Sequence, residues 1–178
     1  MEFRYEVRVP KDRVAVVIGK KGVTRRLLSK KLDVKLRVEA DEGLVVIDSD
    51  DSLKLMVAKD VIKSIARGFN PNIALYLIKE DFMVDFIDIA DFVGAKKNQL
   101  ERVRSRLIGT EGKARRNLSN LADCDVVIYG KTISIIGKHQ YVAILRRAVE
   151  TLISGNKHAS VYRWLEERTH KLRREERS

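Results

Sequence analysis

A chain of 178 residues, 44% hydrophobic and 34% charged, suits one ordinary domain or two small ones and has the composition of a globular protein. Its longest apolar runs, Val14 to Ile18 and Leu44 to Ile47, are far too short to cross a bilayer, and the N-terminus lacks an apolar signal region, so a cytoplasmic protein without a membrane partner is expected. The 36 Lys and Arg against 25 Asp and Glu leave a net charge of +11, which fits a polyanionic partner but also fits a surface charged for solubility alone.

The first strand candidate is Phe3 to Pro10, followed by a helical stretch that reaches Ile18. Residues 18–33 then read IGKKGVTRRLLSKKLD, a sharp Gly-x-x-Gly turn opening a helix. VKLRVE (Val34 to Glu39) and LVVID (Leu44 to Asp48) form a hairpin. Asp50 and Asp51 cap a helix with Leu55, Ala58, Val61, Ile62 and Ile65 on one face, ending at Gly68. A short linking helix opens at Pro71 within 70–80.

The same order then returns. Phe82 to Ile89 is a strand candidate, and Asp91 to Leu107 adds a longer helical stretch than the first unit has. Residues 108–123 read IGTEGKARRNLSNLAD, then come a second hairpin (Asp125 to Gly130, Thr132 to Gly137) and a helix ending at Gly155. At an offset of 90, eight of sixteen motif positions are identical: Ile18/Ile108, Gly19/Gly109, Gly22/Gly112, Arg25/Arg115, Arg26/Arg116, Leu28/Leu118, Ser29/Ser119 and Asp33/Asp123. The chain is two copies of one unit. The expected division is 1–69, a linker helix over 70–80, a second domain over 81–156 with a helical insertion near 92–107, and a C-terminal helix over 157–178.

Two glycines three apart allow a tight turn and remove Cβ atoms where another backbone approaches, and the following helix N-terminus favours an anion. Between Lys20 and Arg37 lie eight basic residues and one acidic one, Asp33. A Walker loop and a dinucleotide fingerprint are both absent. Order and motif resemble the type I KH domain, whose Gly-x-x-Gly loop clamps about four nucleotides of single-stranded backbone. The expected fold is therefore α+β: two tandem type I KH domains, each β-α-α-β-β-α with helices on one face of a three-stranded antiparallel sheet, and an extra C-terminal helix.

The resemblance implies that Gly19, Lys20, Lys21 and Gly22 form one clamp and that Gly109, Thr110, Glu111 and Gly112 form the other. Arg25, Arg26, Lys113, Arg115 and Arg116 would flank the phosphates. Glu111 replaces a basic residue, so the second clamp is expected to be weaker. Leu36, Val38, Val126 and Ile128 lie on the strand beside each groove, where they serve either the groove or the core, the core being favoured. Low aromatic content, 6%, speaks against a stacking platform.

Over nearly the whole chain the arrangement is similar to the two-KH ribosome-assembly factors of the partner-of-NOB (Dim) family and its KRR relatives, most clearly through RLIGTEGKARRNLSNLADCDVVIYGKTISIIG. That resemblance implies binding to small-subunit rRNA near its 3′ end, beside a processing endonuclease and a dimethyladenosine transferase. The alternative is a protein-interaction scaffold, favoured by Glu111 and by a first half (residues 1–90) with 17 basic against 15 acidic residues.

Catalysis and bound metals or cofactors are not expected. His139, His158 and His170 are scattered, and Asp81, Asp85, Asp88 and Asp91 read as strand decoration more readily than as a magnesium site. Ser29 and Ser119 have no base at a matching spacing, and Cys124 reads as a small buried thiol. In the C-terminal segment Val161, Trp164, Leu165, Arg168 and Leu172 share one helical face, for packing on the second unit or for docking a partner, and its last turns are expected to fray.

Overall fold

Alternating burial sets up the first sheet. In β1 (Phe3–Arg8) Val7 points into the core while Arg4, Glu6 and Arg8 stay exposed. β2 (Lys35–Glu39) alternates likewise around buried Leu36, and β3 (Leu44–Ser49) is buried almost throughout because it lies between the other two. Both pairings are antiparallel and place Tyr5, Ile47 and Leu36 in one row and Val7, Val45 and Val38 in the next. The opposite face carries Arg4, Asp48 and Lys35 in a row, with Arg4 Nε 2.6 Å from Asp48 Oδ1. That guanidinium holds the Asp48 carboxyl below the usual carboxylate range.

The structure is a computed structural model describing residues 2–178, and it divides into one unit ending at Glu80 and another from Asp81 to Ser178. In the first unit, α1 (Lys11–Ile18) and α2 (Val23–Leu32) bury Val14, Val17, Leu28 and Leu32. α3 (Ser52–Ala66) lies on β1 and β3 through Ala58, Val61, Ile62 and Ile65. Asp51 caps it, accepting from the N–H of Leu53 at 2.8 Å and of Lys54 at 3.3 Å. Beyond Gly68 (φ 109°) come buried Phe69, the short α4 (Pro71–Ala74) capped by Asn70, and a 3-10 turn over Leu75–Ile78. α4 and this turn rest on α3 through buried Ala74 and Leu77.

The second unit repeats the plan with β4 (Phe82–Asp88), β5 (Asp125–Tyr129) and β6 (Thr132–Lys138), again antiparallel with the last strand in the middle. The expected α+β architecture of two three-stranded sheets with helices is what forms. The long stretch before the second motif is two helices, α5 (Ala90–Val93) and α6 (Lys97–Ile108), where one was expected. Gly94, at φ 82°, ends the first of them in a conformation that L-residues avoid. α7 (Lys113–Ala122) and α8 (His139–Ile153) complete the core with Leu107, Leu118, Leu145 and Val149 around Ile133 and Ile135.

α9 (His158–Arg177) packs on α7 and α8 through Val161, Leu165 and Thr169. Thr169 is the unanticipated member of that stripe; its hydroxyl donates back to the Leu165 carbonyl at 3.0 Å and so is buried at little cost. Trp164 lies half-buried beneath the guanidinium groups of Arg147 and Arg168, 5.1 and 5.5 Å from its ring centre. The helix runs through the last turns to Arg177, and Tyr141 donates its hydroxyl to Glu176 at 2.9 Å.

Candidate nucleic-acid interface

Each Gly-x-x-Gly segment is one tight 3-10 turn set between two helices. Gly19 closes α1 by donating to the Ala15 carbonyl at 2.9 Å, and Gly22 donates to the Gly19 carbonyl at 3.2 Å. Gly109 and Gly112 do the same, to Ser105 at 2.8 Å and to Gly109 at 3.2 Å. The backbone angles nearly coincide: φ is 72° and 74° at the first glycines, 54° and 55° at Lys21 and Glu111, and 76° at both second glycines. Two successive left-handed residues make the tip, the first of them not a glycine in either copy.

The two glycines are required for different reasons. A Cβ on Gly19 would fall 2.1 Å from Thr24 Oγ1, and one on Gly109 would fall 2.7 Å from the Ala114 nitrogen. Those positions are closed to any side chain. At Gly22 and Gly112 the nearest atoms are the guanidinium tips of Arg26 and Arg116 at 3.0 and 3.2 Å, so only the left-handed φ restricts them. Lys20, Lys21, Thr110 and Glu111 are exposed on the turns, and exposed Lys113 opens α7 where Val23 opens α2.

The paired arginines divide. Arg26 and Arg116 are exposed and donate back to the tip, to the carbonyls of Lys21 at 3.0 Å and Glu111 at 2.6 Å. They stay beside the loop, where a phosphate would lie. Arg25 and Arg115 turn the other way and donate to the carbonyls of Leu36 and Val126, each at 3.3 Å. β2 and β5 are edge strands, and these carbonyls point outward from them. Of the five residues expected to flank the phosphates, the four arginines therefore separate into a loop pair and a strand-edge pair. The Leu36 and Val126 side chains are core, each 3% exposed, while Val38 and Ile128 are half-buried.

The other repeated residues are architectural. Leu28 and Leu118 are fully buried. Ser29 and Ser119 donate their hydroxyls to the carbonyls of Val34 and Cys124, tying each helix to the strand that follows. Asp33 and Asp123 end α2 and α7 in the left-handed conformation, φ 52° and 53°. Arg13 and Arg106, which the repeat does not flag, brace α1 and α6. Arg13 donates to the carbonyls of Ile65 and Phe69, both at 2.9 Å, and Arg106 to Leu152 at 3.0 Å and to Asn156.

Four of the groups considered for chemistry, Asp85, Asp88, His158 and His170, are engaged elsewhere. Asp85 pairs with Arg146 at 2.7 Å, and Asp88 accepts from the Ala90 N–H at 2.9 Å. His158 Nε2 lies 2.9 Å from the Arg106 carbonyl, and His170 lies 3.8 Å from Glu166. No three His, Cys, Asp or Glu side chains among the described residues converge as metal ligands. Burial pushes the Cys124 thiol up to about 12. Gly137 packs against it so closely that a Cβ there would sit 2.6 Å from its Sγ.

Two family models match in tandem. Residues 4–64 match the KH domain, and residues 83–170 match the eukaryotic-type KH domain (type I) in the form found as the second domain of PNO1. A KH domain-containing protein of Methanocaldococcus jannaschii is 40% identical over 171 residues, covering 94% of this chain and 75% of that protein. Among solved structures, the a/eIF2alpha–aDim2p–rRNA complex from Pyrococcus horikoshii holds a chain 36% identical, with a TM-score of 0.87 and 95% of each chain covered.

The chain belongs to the PNO1/Dim2 family of tandem KH proteins.

The RNA-binding protein pno-1 of Caenorhabditis briggsae, 28% identical over 148 residues, aligns with 82% of this chain. This PNO1/Dim2-type chain spans only about half of that protein's length, 51%.

Proposed function

We propose that this protein binds single-stranded RNA from the 3′ region of small-subunit rRNA through its two Gly-x-x-Gly turns and acts in small-subunit assembly. One observation carries the reading: two loops with the same backbone angles, each opening a ten-residue helix whose N-terminus is uncapped by any side chain and flanked by an exposed arginine. Unpaired N–H groups and the helix dipole favour a phosphate there, and Lys20, Lys21 and Arg26 add charge in the first turn. In the second turn Glu111 repels a phosphate, and Lys113 and Arg116 offset it. The sites are Gly19, Lys20, Lys21, Gly22 and Arg26, and Gly109, Thr110, Gly112, Lys113 and Arg116. Support comes also from the Pyrococcus complex, in which aDim2p is found with rRNA and a/eIF2alpha.

A binding role, without catalysis, in the cytoplasm follows from the same reading. Protein partners would be assembly factors, among them a processing endonuclease and a dimethyladenosine transferase. The test is affinity for single-stranded RNA from the 3′ end of small-subunit rRNA across a salt series. Wild type is compared with Lys20→Asp/Lys21→Asp and with Gly112→Asp. Binding should weaken with salt, by a log–log slope of about −0.7 for each phosphate held, and should fall in at least one variant. Unchanged affinity in both variants overturns the loop mechanism and favours the scaffold reading, for which Glu111 is the specific observation.

A further inference from the structure

We infer that the C-terminal helix α9 belongs to the second RNA-binding turn, with His158 as the residue that positions it. The inference rests on the RNA-binding reading and deepens it. His158 opens α9, and its Nε2 lies 2.9 Å from the carbonyl of Arg106, in the last turn of α6. A carbonyl only accepts, so Nε2 carries the proton and donates. Gly109, three residues further on, closes α6 and begins the second Gly-x-x-Gly turn.

Arg106 is held from both ends. His158 takes its backbone carbonyl, and its guanidinium donates to the carbonyls of Leu152 at 3.0 Å and of Asn156, where α8 ends and the connection to α9 begins. Asn156 is itself pinned, its side-chain amide donating to the Thr151 carbonyl at 3.1 Å. The imidazole meets the ring of Tyr162 edge to face, with centres 5.8 Å apart and planes at 63°, one turn along the same helix. From there α9 runs over α7 through Val161 and Leu165. A single helix thereby fixes both arms of the turn, α6 by a hydrogen bond and α7 by packing.

The first unit is built differently at this point. At the offset of 90, Val16 stands where Arg106 stands, and among the described residues no side chain donates to its carbonyl. The four-residue α4 follows α3 where the second unit has α9. The first turn also carries Lys20 and Lys21 in place of Thr110 and Glu111. That difference bears on phosphate binding, because the free carbonyls at the end of a helix carry partial negative charge. Two lysines offset this charge in the first turn, whereas Glu111 adds to it in the second. An N–H placed on one of those carbonyls removes part of the repulsion in the unit whose loop is short of positive charge. It also fixes in advance the direction in which the turn presents its own N–H groups.

The experiment measures affinity of the full chain for single-stranded RNA from the 3′ end of small-subunit rRNA, with one turn disabled at a time. Lys20→Asp/Lys21→Asp leaves the second turn to bind, and Gly112→Asp leaves the first. His158→Met and His158→Gln are placed in each background, and every protein is melted to show that it is folded. The two side chains are alike in length, and only glutamine keeps a donor. His158→Met should weaken binding by the second turn about 2- to 12-fold, the range of one lost hydrogen bond, and should leave binding by the first turn as it was. His158→Gln should recover most of the loss. Read well below the melting temperature, a loss of stability alone would change neither background.

Equal weakening in both backgrounds, no weakening in either, or a loss that glutamine fails to recover would overturn the inference. So would a methionine variant that does not fold, which makes His158 a determinant of the fold and not of the turn. If Lys20→Asp/Lys21→Asp abolishes all binding, the second turn is no RNA site, and the inference falls while the first turn keeps its role. If wild type does not bind the RNA either, the RNA-binding reading itself fails, and that outcome is distinct from the others.

Discussion

Arg13 donates to the carbonyl of Ile65 at 2.9 Å, locking the helix before the first turn onto the C-terminal end of the long helix behind it. Arg106 does the same for Leu152 in the second unit at 3.0 Å. At the offset of 90 that aligns the motifs, Val103 stands opposite Arg13 and Val16 opposite Arg106. The two units arrive at one brace from positions a helical turn apart. Each guanidinium places positive charge at the C-terminal end of a helix, where it is favoured.

Removing either brace should be expensive. Arg13→Ala and Arg106→Ala should each destabilise their own unit by about 1.5–3 kcal/mol, as expected for hydrogen bonds to a charged group. Urea unfolding of the two variants measures this, and a shift below about 0.5 kcal/mol in both would show the braces to be incidental.

The two glycines of a turn should respond unequally. Gly19→Ala forces a Cβ onto Thr24, and Gly109→Ala forces one onto the backbone of Ala114, so both should unfold more readily or fail to fold. Gly22→Ala and Gly112→Ala meet only a movable arginine tip and should cost about 1–2 kcal/mol of left-handed strain. Equal losses at the two positions, read from melting curves, would contradict this.

Ser134 carries a side-chain oxygen that is fully buried and without a hydrogen-bond partner among the described residues. Ser134→Ala removes that desolvated group and leaves little void, so the protein should gain about 1 kcal/mol. A variant that melts lower than wild type would mean that the hydroxyl is satisfied in solution.

Cys124 should be inert in the folded state. Its thiol is raised to about 12 mainly by burial, with Asp123 and Asp125 adding repulsion of the thiolate. The neutral thiol's contribution to stability is therefore complete below the ordinary thiol pKa and is lost as pH climbs toward 12. Labelling with iodoacetamide at pH 8 should proceed only as fast as the unit opens. Rapid stoichiometric labelling of native protein would show the thiol to be accessible.

Much of the site was legible because repetition marked it, while the division of labour within it was not. Gly19 and Gly22 stand out as a pair, but that the first excludes a Cβ on steric grounds and the second only through φ depends on Thr24 and Arg26. Arg25 and Arg26 look interchangeable on the page, yet neighbours on a helix point about 100° apart, so one faces the tip and the other the sheet edge. Ser29 and Asp33 recur in the motif for reasons visible only in three dimensions: a hydroxyl tied to the next strand and a left-handed helix end. The break at Gly94 was missed, because one helical stretch was expected there and the φ of 82° that ends the first helix is fixed by the chain around it. Arg13 and Arg106 left no signal, because self-comparison finds residues held in register and these two are not.

The hydrogen bond from Arg115 to Val126 bears on how molecules of this protein meet one another. β5 reads Asp-Val-Val-Ile-Tyr, an apolar run on a sheet border, and a border of that kind is a template onto which a strand from another molecule can lay itself. A guanidinium seated near the start of that border occupies an acceptor the incoming strand needs and sets a charge against its approach. On a free sheet border, a charged side chain of this kind disfavours pairing with a strand from a second molecule.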